Sequence, residues 1–381
     1  MKLVLLLVAS FAFVRPCHGE GDDAQFETIA KRGIAQVYNL EFEEADKEFA
    51  ELVRLRPGHP AGHFFLAMVD WWRILIDLDD ESRDQKFLDE LDRVIALADS
   101  MLEKNANDPD AVFFKGGALG FQGRLKFHRN DYLSAANAGR KALPLVEIAF
   151  ALDPRNYDIL LGTGIYNYYA EVIPNEFPFV KPLLLFVPSG DKTKGINQLA
   201  TAAEKGKYAG TEAAYFLMQI YYFYERDYAK VLELAQKLTH RFPQNMIFHR
   251  YLGRAYAAMA NWPMAESVFR DMVARCRRGQ RGYTIYIERE AAYSLGSTFM
   301  SLGRLDEALE YFYRCDELSR QTDRTEPSGF MTMANLKIGN IYDVQGKRSL
   351  AIVQYNKVLG MKDYKESEVQ ARNYLKTPYA R

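Results

Sequence analysis

The sequence predicts an all-α protein, a right-handed α-solenoid of antiparallel helix pairs. Apolar residues recur at helical intervals along most of the chain. A pattern of Gly, Ala and aromatic residues also repeats at fixed spacing, which is typical of stacked helical hairpins. The composition agrees, because 48% of the 381 residues are hydrophobic and only 14 are proline. We expect seven or eight hairpins and no β-sheet.

The first 19 residues have the anatomy of a signal peptide. A basic residue at position 2 precedes the apolar run Leu3–Val14, and Cys17 and Gly19 supply small residues before Glu20. The run is too short to span a membrane. We therefore predict cleavage before Glu20 and export to a bacterial periplasm or envelope. The chain contains no Asn-x-Ser/Thr acceptor, which favours a bacterial origin. A lipoprotein acylated at Cys17, or an uncleaved anchor, is the alternative.

The repeat consists of a Gly, an Ala twelve residues later and an aromatic residue four positions after that. Small residues allow close helix crossing, and the aromatic ring fills the space between helices. The last three glycines are 43 residues apart. The copies are Gly33, Ala45, Phe49; Gly253, Tyr256, Ala265, Phe269; Gly296, Ala308, Phe312; and Gly339, Tyr342, Ala351, Tyr355.

These copies resemble the tetratricopeptide repeat, whose period is about 34 residues. The resemblance implies a TPR-like superhelix of helix–turn–helix units. In the three C-terminal copies the additional residues come after the second helix begins. We expect longer second helices and longer links there.

The domain organisation follows from where the helical pattern breaks. After the signal peptide, residues 20–172 are predicted to form N-terminal TPR-like hairpins. Residues 173–190 contain four prolines around an apolar run and are predicted to be a link. Residues 191–362 are predicted to form C-terminal repeats, and 363–381 a capping helix and tail.

A narrower resemblance lies in the centre of the chain. Gly162, Gly164, Tyr166, Asn167 and Tyr168-Tyr169 precede Pro174, and a helix start Gly190-Asp191-Lys192-x-x-Gly195-Ile196 follows the apolar run. This segment is similar to the family that joins eukaryotic tetratricopeptide-repeat protein 39 to the yeast inclusion-body-clearance protein. The resemblance implies an adaptor without catalytic residues.

Motifs for chemistry are not found. There is no Walker A sequence, no His-Glu-x-x-His, no Gly-x-Ser-x-Gly and no Cys-x-x-Cys. We expect no catalytic residue, cofactor or metal. His59 and His63 are four residues apart, but a turn and cap explain them better than a metal site. Whether Cys276 and Cys315 form a disulfide is left open. The net charge of −1 argues against a strongly basic nucleic-acid binder.

The candidate partner-binding residues are aromatic and arginine side chains on predicted first helices, which line the concave face of such an array. They are Tyr168, Tyr169, Phe216, Phe223, Tyr224, Arg250, Arg254 and Tyr293. We expect a non-enzymatic exported scaffold that binds protein partners and no nucleic acid. The alternative is an accessory subunit of an envelope enzyme, secretion system or membrane-surface complex, with peripheral membrane contact through residues 173–190.

The apolar link generates a first testable prediction. We expect it to fold back and be buried, so that replacing both Leu184 and Phe186 by Asp lowers the melting temperature strongly, because each buried large side chain contributes about 1.5–3 kcal/mol. Thermal melting of the purified protein measures this. An unchanged melting temperature with loss of partner or membrane binding would support a surface link instead.

Overall fold

The computed structural model describes residues 20–176, 188–323 and 326–380, with side chains from residue 22. This part of the chain contains α-helices, one π-helical turn and no β-strand. The prediction of an all-α solenoid is confirmed.

Seventeen α-helices are present in the described residues, and a π-helical turn at Tyr221–Glu225 extends the ninth. Their bounds are α1 Glu20–Tyr38, α2 Phe42–Leu55, α3 Pro60–Ile76, α4 Asp84–Lys104, α5 Pro109–His128, α6 Tyr132–Leu152, α7 Ile159–Glu176, α8 Lys192–Lys205, α9 Gly210–Ile220, α10 Tyr228–Arg241, α11 Met246–Ala258, α12 Trp262–Arg277, α13 Ile285–Leu302, α14 Leu305–Thr322, α15 Gly329–Val344, α16 Arg348–Leu359 and α17 Ser367–Lys376.

Consecutive helices pack against each other, so the sixteen helices α1–α16 form eight hairpins. This agrees with the expected seven or eight. Helix α17 covers the open end, where the ring of Tyr374 lies 5.5 Å from that of Tyr355. A terminal helix of this kind supplies the polar outer surface that a repeat array needs.

The repeated glycines lie where the two helices of a hairpin touch. A methyl group built on Gly253, Gly296 or Gly339 would come within 2.6–2.8 Å of an aromatic ring sixteen residues later. Gly33 faces Phe49 in the same way. The rings concerned are those of Phe49, Phe269, Phe312 and Tyr355, and the alanines of the pattern, Ala45, Ala265, Ala308 and Ala351, are fully buried. Each of these aromatic side chains therefore packs against the glycine of its own hairpin.

The glycine-rich central segment forms a close crossing of α7 and α8. A methyl group on Gly195 would lie 2.6 Å from the backbone nitrogen of Tyr168 and 2.8 Å from the carbonyl oxygen of Gly164. Asp191 caps α8 by accepting a 2.8 Å hydrogen bond from the N–H of Lys194. Helix packing and capping thus account for the glycines and the aspartate of this motif.

The predicted link begins later than expected, because α7 continues to Glu176 and includes Pro174 in its last turn. The apolar residues 177–187, with Leu184 and Phe186, lie outside the described residues, as does the predicted signal peptide at 1–19. Among the helices that are described, none combines the length and apolar character of a membrane span.

The solenoid curls back on itself, so that the first hairpin meets the sixth. The ring of Tyr38 at the end of α1 lies 5.3 Å from that of Phe242. Asn245 donates a 2.8 Å hydrogen bond from Nδ2 to the carbonyl oxygen of Tyr38, across 207 residues of sequence. Arg281, in the link after α12, forms a 3.4 Å ion pair with Glu44. These contacts fix the curvature of the intervening hairpins.

The glycine contact in the seventh hairpin can be tested by substitution. Gly296→Val should destabilise the protein by about 2–4 kcal/mol, because the added carbons collide with the ring of Phe312. Gly120→Val is a matched control, since Gly120 is also helical and nothing lies within 4 Å of a methyl group built there. Chemical denaturation measures both. Equal stability of the two variants would show that the Gly296 contact is unimportant.

Candidate functional site

The curled hairpins enclose an apolar groove with a cavity of about 600 Å³. It is lined by residues of α1, α2, α3, α5, α6, α7 and α9, of the π-helical turn and of the loops before α7 and α9, and we call it the apolar groove. Its volume lies within the range of about 300–1,000 Å³ that is typical of ligand-binding pockets. The first helices of five successive hairpins contribute to it, as expected for the inner face of the array.

The two walls of the apolar groove differ in character. One wall is aromatic and contains Phe64, Phe121, Phe216 and Phe223. The other, which we call the small wall, is formed by small residues of α5 and α6, which are Gly116, Gly117, Gly120, Gly123, Ala135, Ala136, Gly139 and Ala142. A methyl group built on Gly116, Gly117 or Gly123 would lie 3.1–3.3 Å from a neighbouring residue, whereas nothing lies within 4 Å of one built on Gly120 or Gly139. Only these last two glycines leave open space in the groove.

A buried carboxylate joins four helices at the back of the groove. Glu212 on α9 accepts hydrogen bonds from Arg124 on α5 (2.7 Å), Tyr38 on α1 (3.2 Å) and Trp72 on α3 (3.3 Å). The guanidinium of Arg124 also stacks 4.2 Å from the ring centre of Phe216. Since Glu212 neutralises it, Arg124 presents little free charge to the groove.

The other polar groups of the groove are also occupied or neutral. Asp158 accepts hydrogen bonds from the N–H groups of Tyr208 and Ala209 (3.0 and 2.9 Å), and burial raises its pKa. Tyr166 donates to the carbonyl oxygen of Pro188. The pKa of His128 is lowered to about 4, first by burial and then by two nearby arginines, so this ring is neutral at pH 7. The arrangement can bind apolar groups and offers few hydrogen bonds.

Four predicted binding residues come together in the groove. Tyr169, Phe216, Phe223 and Tyr224 all line it. The Tyr169 and Tyr224 rings meet edge to face with centres 5.7 Å apart, and Phe223 is 54% exposed at the rim. Their part in binding stays a prediction. Phe223 is open to solvent, whereas Phe216 is only 6% exposed and stacks against Arg124.

The other four are placed elsewhere. Tyr168 is fully buried and donates a 2.7 Å hydrogen bond to Glu225. Arg250 and Arg254 pair with the buried carboxylate of Glu290 at 3.4 and 2.5 Å. Burial alone would raise the pKa of Glu290, but the two arginines lower it. Tyr293 packs between Phe312 and Phe330. These side chains hold hairpins together and do not face the groove.

The histidines and cysteines have structural surroundings. His59 caps α3 by accepting from the N–H of Ala61, and His63 lies 2.8 Å from a carboxylate oxygen of Glu90. Within the described residues, no group of three His, Cys, Asp or Glu side chains is placed to bind a metal. Cys276 and Cys315 are free thiols, and burial raises the pKa of each to about 12.

The sequence did not predict the hydrogen bonds around Glu212, nor that small residues of α5 and α6 line the groove. Arg124 and Glu212 are 88 residues apart, and no local pattern connects them. The glycines gave a signal, because Gly116, Gly120 and Gly123 recur on one face of a helix. Such spacing on a predicted helix indicates either a close crossing or an open surface, and only the packing decides between them.

Comparisons with known proteins agree with this architecture. The family model for the tetratricopeptide repeat matches residues 290–322, which contain most of α13 and all of α14. The fold is that of a tetratricopeptide-repeat solenoid. No curated protein matches the chain.

Two solved structures illustrate the likeness of the fold. The human IFIT1 dimer with m7Gppp-AAAA is 14% identical over 93% of this chain and 85% of its own, with a TM-score of 0.45. Yeast Tom70 is 13% identical over 94% of this chain and 89% of its own, with a TM-score of 0.38. At these values the likeness concerns the fold alone.

The buried ion pair of Arg124 and Glu212 yields a prediction. Arg124→Met or Glu212→Gln alone should destabilise the protein by about 3–5 kcal/mol, because each leaves a buried polar partner uncompensated. The double variant should lose less than the sum of the two. Urea denaturation of the four proteins gives the coupling free energy. Strict additivity would mean that the pair is not coupled.

Proposed function

We propose that this chain is a non-enzymatic, exported scaffold that binds a segment of a protein partner in the apolar groove. The observation that carries the proposal is a large concave apolar surface whose buried charged groups, Arg124, Asp158 and Glu212, are already paired. Such a surface gains free energy by burying apolar side chains from another molecule. Tetratricopeptide-repeat solenoids are typically interaction scaffolds, which agrees with this role.

The chemistry of the lining argues against catalysis. Among the described residues that line the groove there is no Ser, Thr, Cys or Lys to act as a nucleophile. Its two carboxylates, Asp158 and Glu212, are held by backbone N–H groups and by Arg124. These groups position helices.

Charge favours a protein partner over a nucleic acid. A nucleic-acid surface needs several free cations to contact phosphates. In the groove, Arg124 is neutralised by Glu212, His128 is neutral, and Arg140 is the remaining cation of the described lining. One cation does not form a track for a phosphate backbone.

Two sequence features support the exported adaptor that we propose. The basic start, the apolar run Leu3–Val14 and the small residues before Glu20 support a secreted precursor. The central resemblance to the family of tetratricopeptide-repeat protein 39 supports an adaptor role.

Site-specific photo-crosslinking tests the proposed function. A photoreactive amino acid at Phe223, which is 54% exposed at the rim, should crosslink one defined protein in the envelope fraction of the source cells. The same group at Val353, which is 59% exposed on α16, is the matched control. Mass spectrometry identifies the products. Identical products at both positions, or none at Phe223, would contradict the proposal.

A further inference from the structure

We propose that the partner segment bound in the apolar groove is an α-helix with an apolar face, and that it lies along α6. This inference rests on the proposed function and specifies the conformation of the partner.

The groove has the length of a helix. On α6 the lining residues run from Tyr132 to Val146 and return about every three or four positions, so they form one face of that helix. At about 1.5 Å per residue, this face is about 21 Å long. The lining residues of α5 and α7 follow those helices over similar lengths, from Phe113 to His128 and from Ile159 to Ile173. A trough of this shape matches a helix of about four turns.

The walls offer no backbone partners to an extended chain. They are built almost entirely from α-helices, whose N–H and C=O groups are bonded internally. The N–H groups of Tyr208 and Ala209, in a loop, are already bound to Asp158. An extended peptide in this groove would bury its own N–H and C=O groups without partners, and that is unfavourable.

The side chains of the lining do not replace those missing partners. Among the described lining residues there is no Asn, Lys, Ser or Thr, and Gln219 donates to Tyr215. Arg140 can donate to a ligand, but a single exposed side chain cannot pair the backbone of an extended segment. A helix satisfies its backbone groups within itself and presents only side chains. The polar content of the groove therefore selects a helical partner.

The small wall lets a partner helix come close. Gly120 and Gly139 line the groove, both are exposed, and nothing lies within 4 Å of a methyl group built on either. Glycine at such positions permits close approach of another backbone. The exposure of Gly120, Gly139 and Phe223 also shows that the groove is open along its side, whereas a single acyl chain is better matched by an enclosed tunnel.

The rim adds a charge preference. Arg140 is exposed and donates to the amide oxygen of Asn137, with no carboxylate partner in the described structure. The acidic lining residues Asp158 and Glu212 are engaged. An acidic residue on the polar face of the partner helix would complement Arg140.

Selection from a peptide library tests the inference. A phage library of random 16-residue peptides is panned on the full protein and depleted on the Gly139→Leu variant. The Ala151→Leu variant is the control, since residue 151 is also exposed on α6 but does not line the groove. We expect the selected peptides to carry apolar residues at i, i+3, i+4 and i+7 and no internal proline, and to bind Gly139→Leu at least about tenfold more weakly than wild type, by calorimetry. Binding to Ala151→Leu should be unchanged.

Several outcomes would overturn the inference. Selected peptides with alternating apolar residues or internal prolines would show an extended ligand. Palmitate that binds one to one and is excluded by Gly139→Leu, with no peptide enriched, would assign the groove to an acyl chain.

The crosslinking at Phe223 and the peptide selection can fail independently, so their results distinguish the two proposals. A protein crosslinked at Phe223 together with non-helical selected peptides would retain the scaffold and reject the helix. Helical peptides without a crosslinked protein would retain the binding geometry and reject the proposed function.

Discussion

The buried carboxylate of Glu212 is the interaction on which the shape of the groove depends. Its two oxygens accept hydrogen bonds from α1, α3 and α5 while its backbone belongs to α9. Tyr38 is 174 residues from it in sequence, so the carboxylate bridges hairpins that no short-range contact could align. The buried carboxylate is tolerated because Arg124 compensates its charge. Removal of either residue would leave the other charge buried without a partner. The back of the groove is therefore set by electrostatics as much as by packing.

The irregular part of the array and the apolar groove coincide. In hairpins one, six, seven and eight, the repeated glycine is covered by an aromatic ring from the same hairpin. In the third hairpin, Gly120 and Gly139 face open space. The same residue type thus has two opposite uses, a tight crossing where a ring covers it and a recess where none does. A departure from the consensus here creates a surface that a perfect repeat would have filled.

Much of the fold is readable from local spacing, because a helix and its turn are decided within some twenty residues. The hairpins, the cap at Asp191 and the terminal helix α17 all follow from such patterns. The site is less readable. Tyr168 and Tyr169 are adjacent, yet one is fully buried and the other lines the groove, since one residue turns the side chain by about 100° around a helix.

Charge partners are hidden from the sequence for a similar reason. Arg250 and Arg254 were predicted as groove residues, but both form ion pairs with Glu290 on α13 of the next hairpin. Arg124 had no recognisable role until Glu212, 88 residues away, was placed beside it. Nothing in the spacing of these residues distinguishes an arginine that binds a partner from one that joins two hairpins. Only the way the hairpins stack in three dimensions distinguishes the two roles.

Asn245 has a consequence for how this array folds. Its side chain caps α11 by accepting from the N–H groups of Ile247 and Phe248, and it also donates to the last carbonyl of α1, 207 residues earlier. Open repeat arrays have low contact order and fray from either end one unit at a time. Here the first hairpin cannot peel away without breaking a bond to the sixth, so fraying at the N-terminus is suppressed. The contact between the first and sixth hairpins raises the contact order. The first six hairpins should therefore fold and unfold as one slow, cooperative unit.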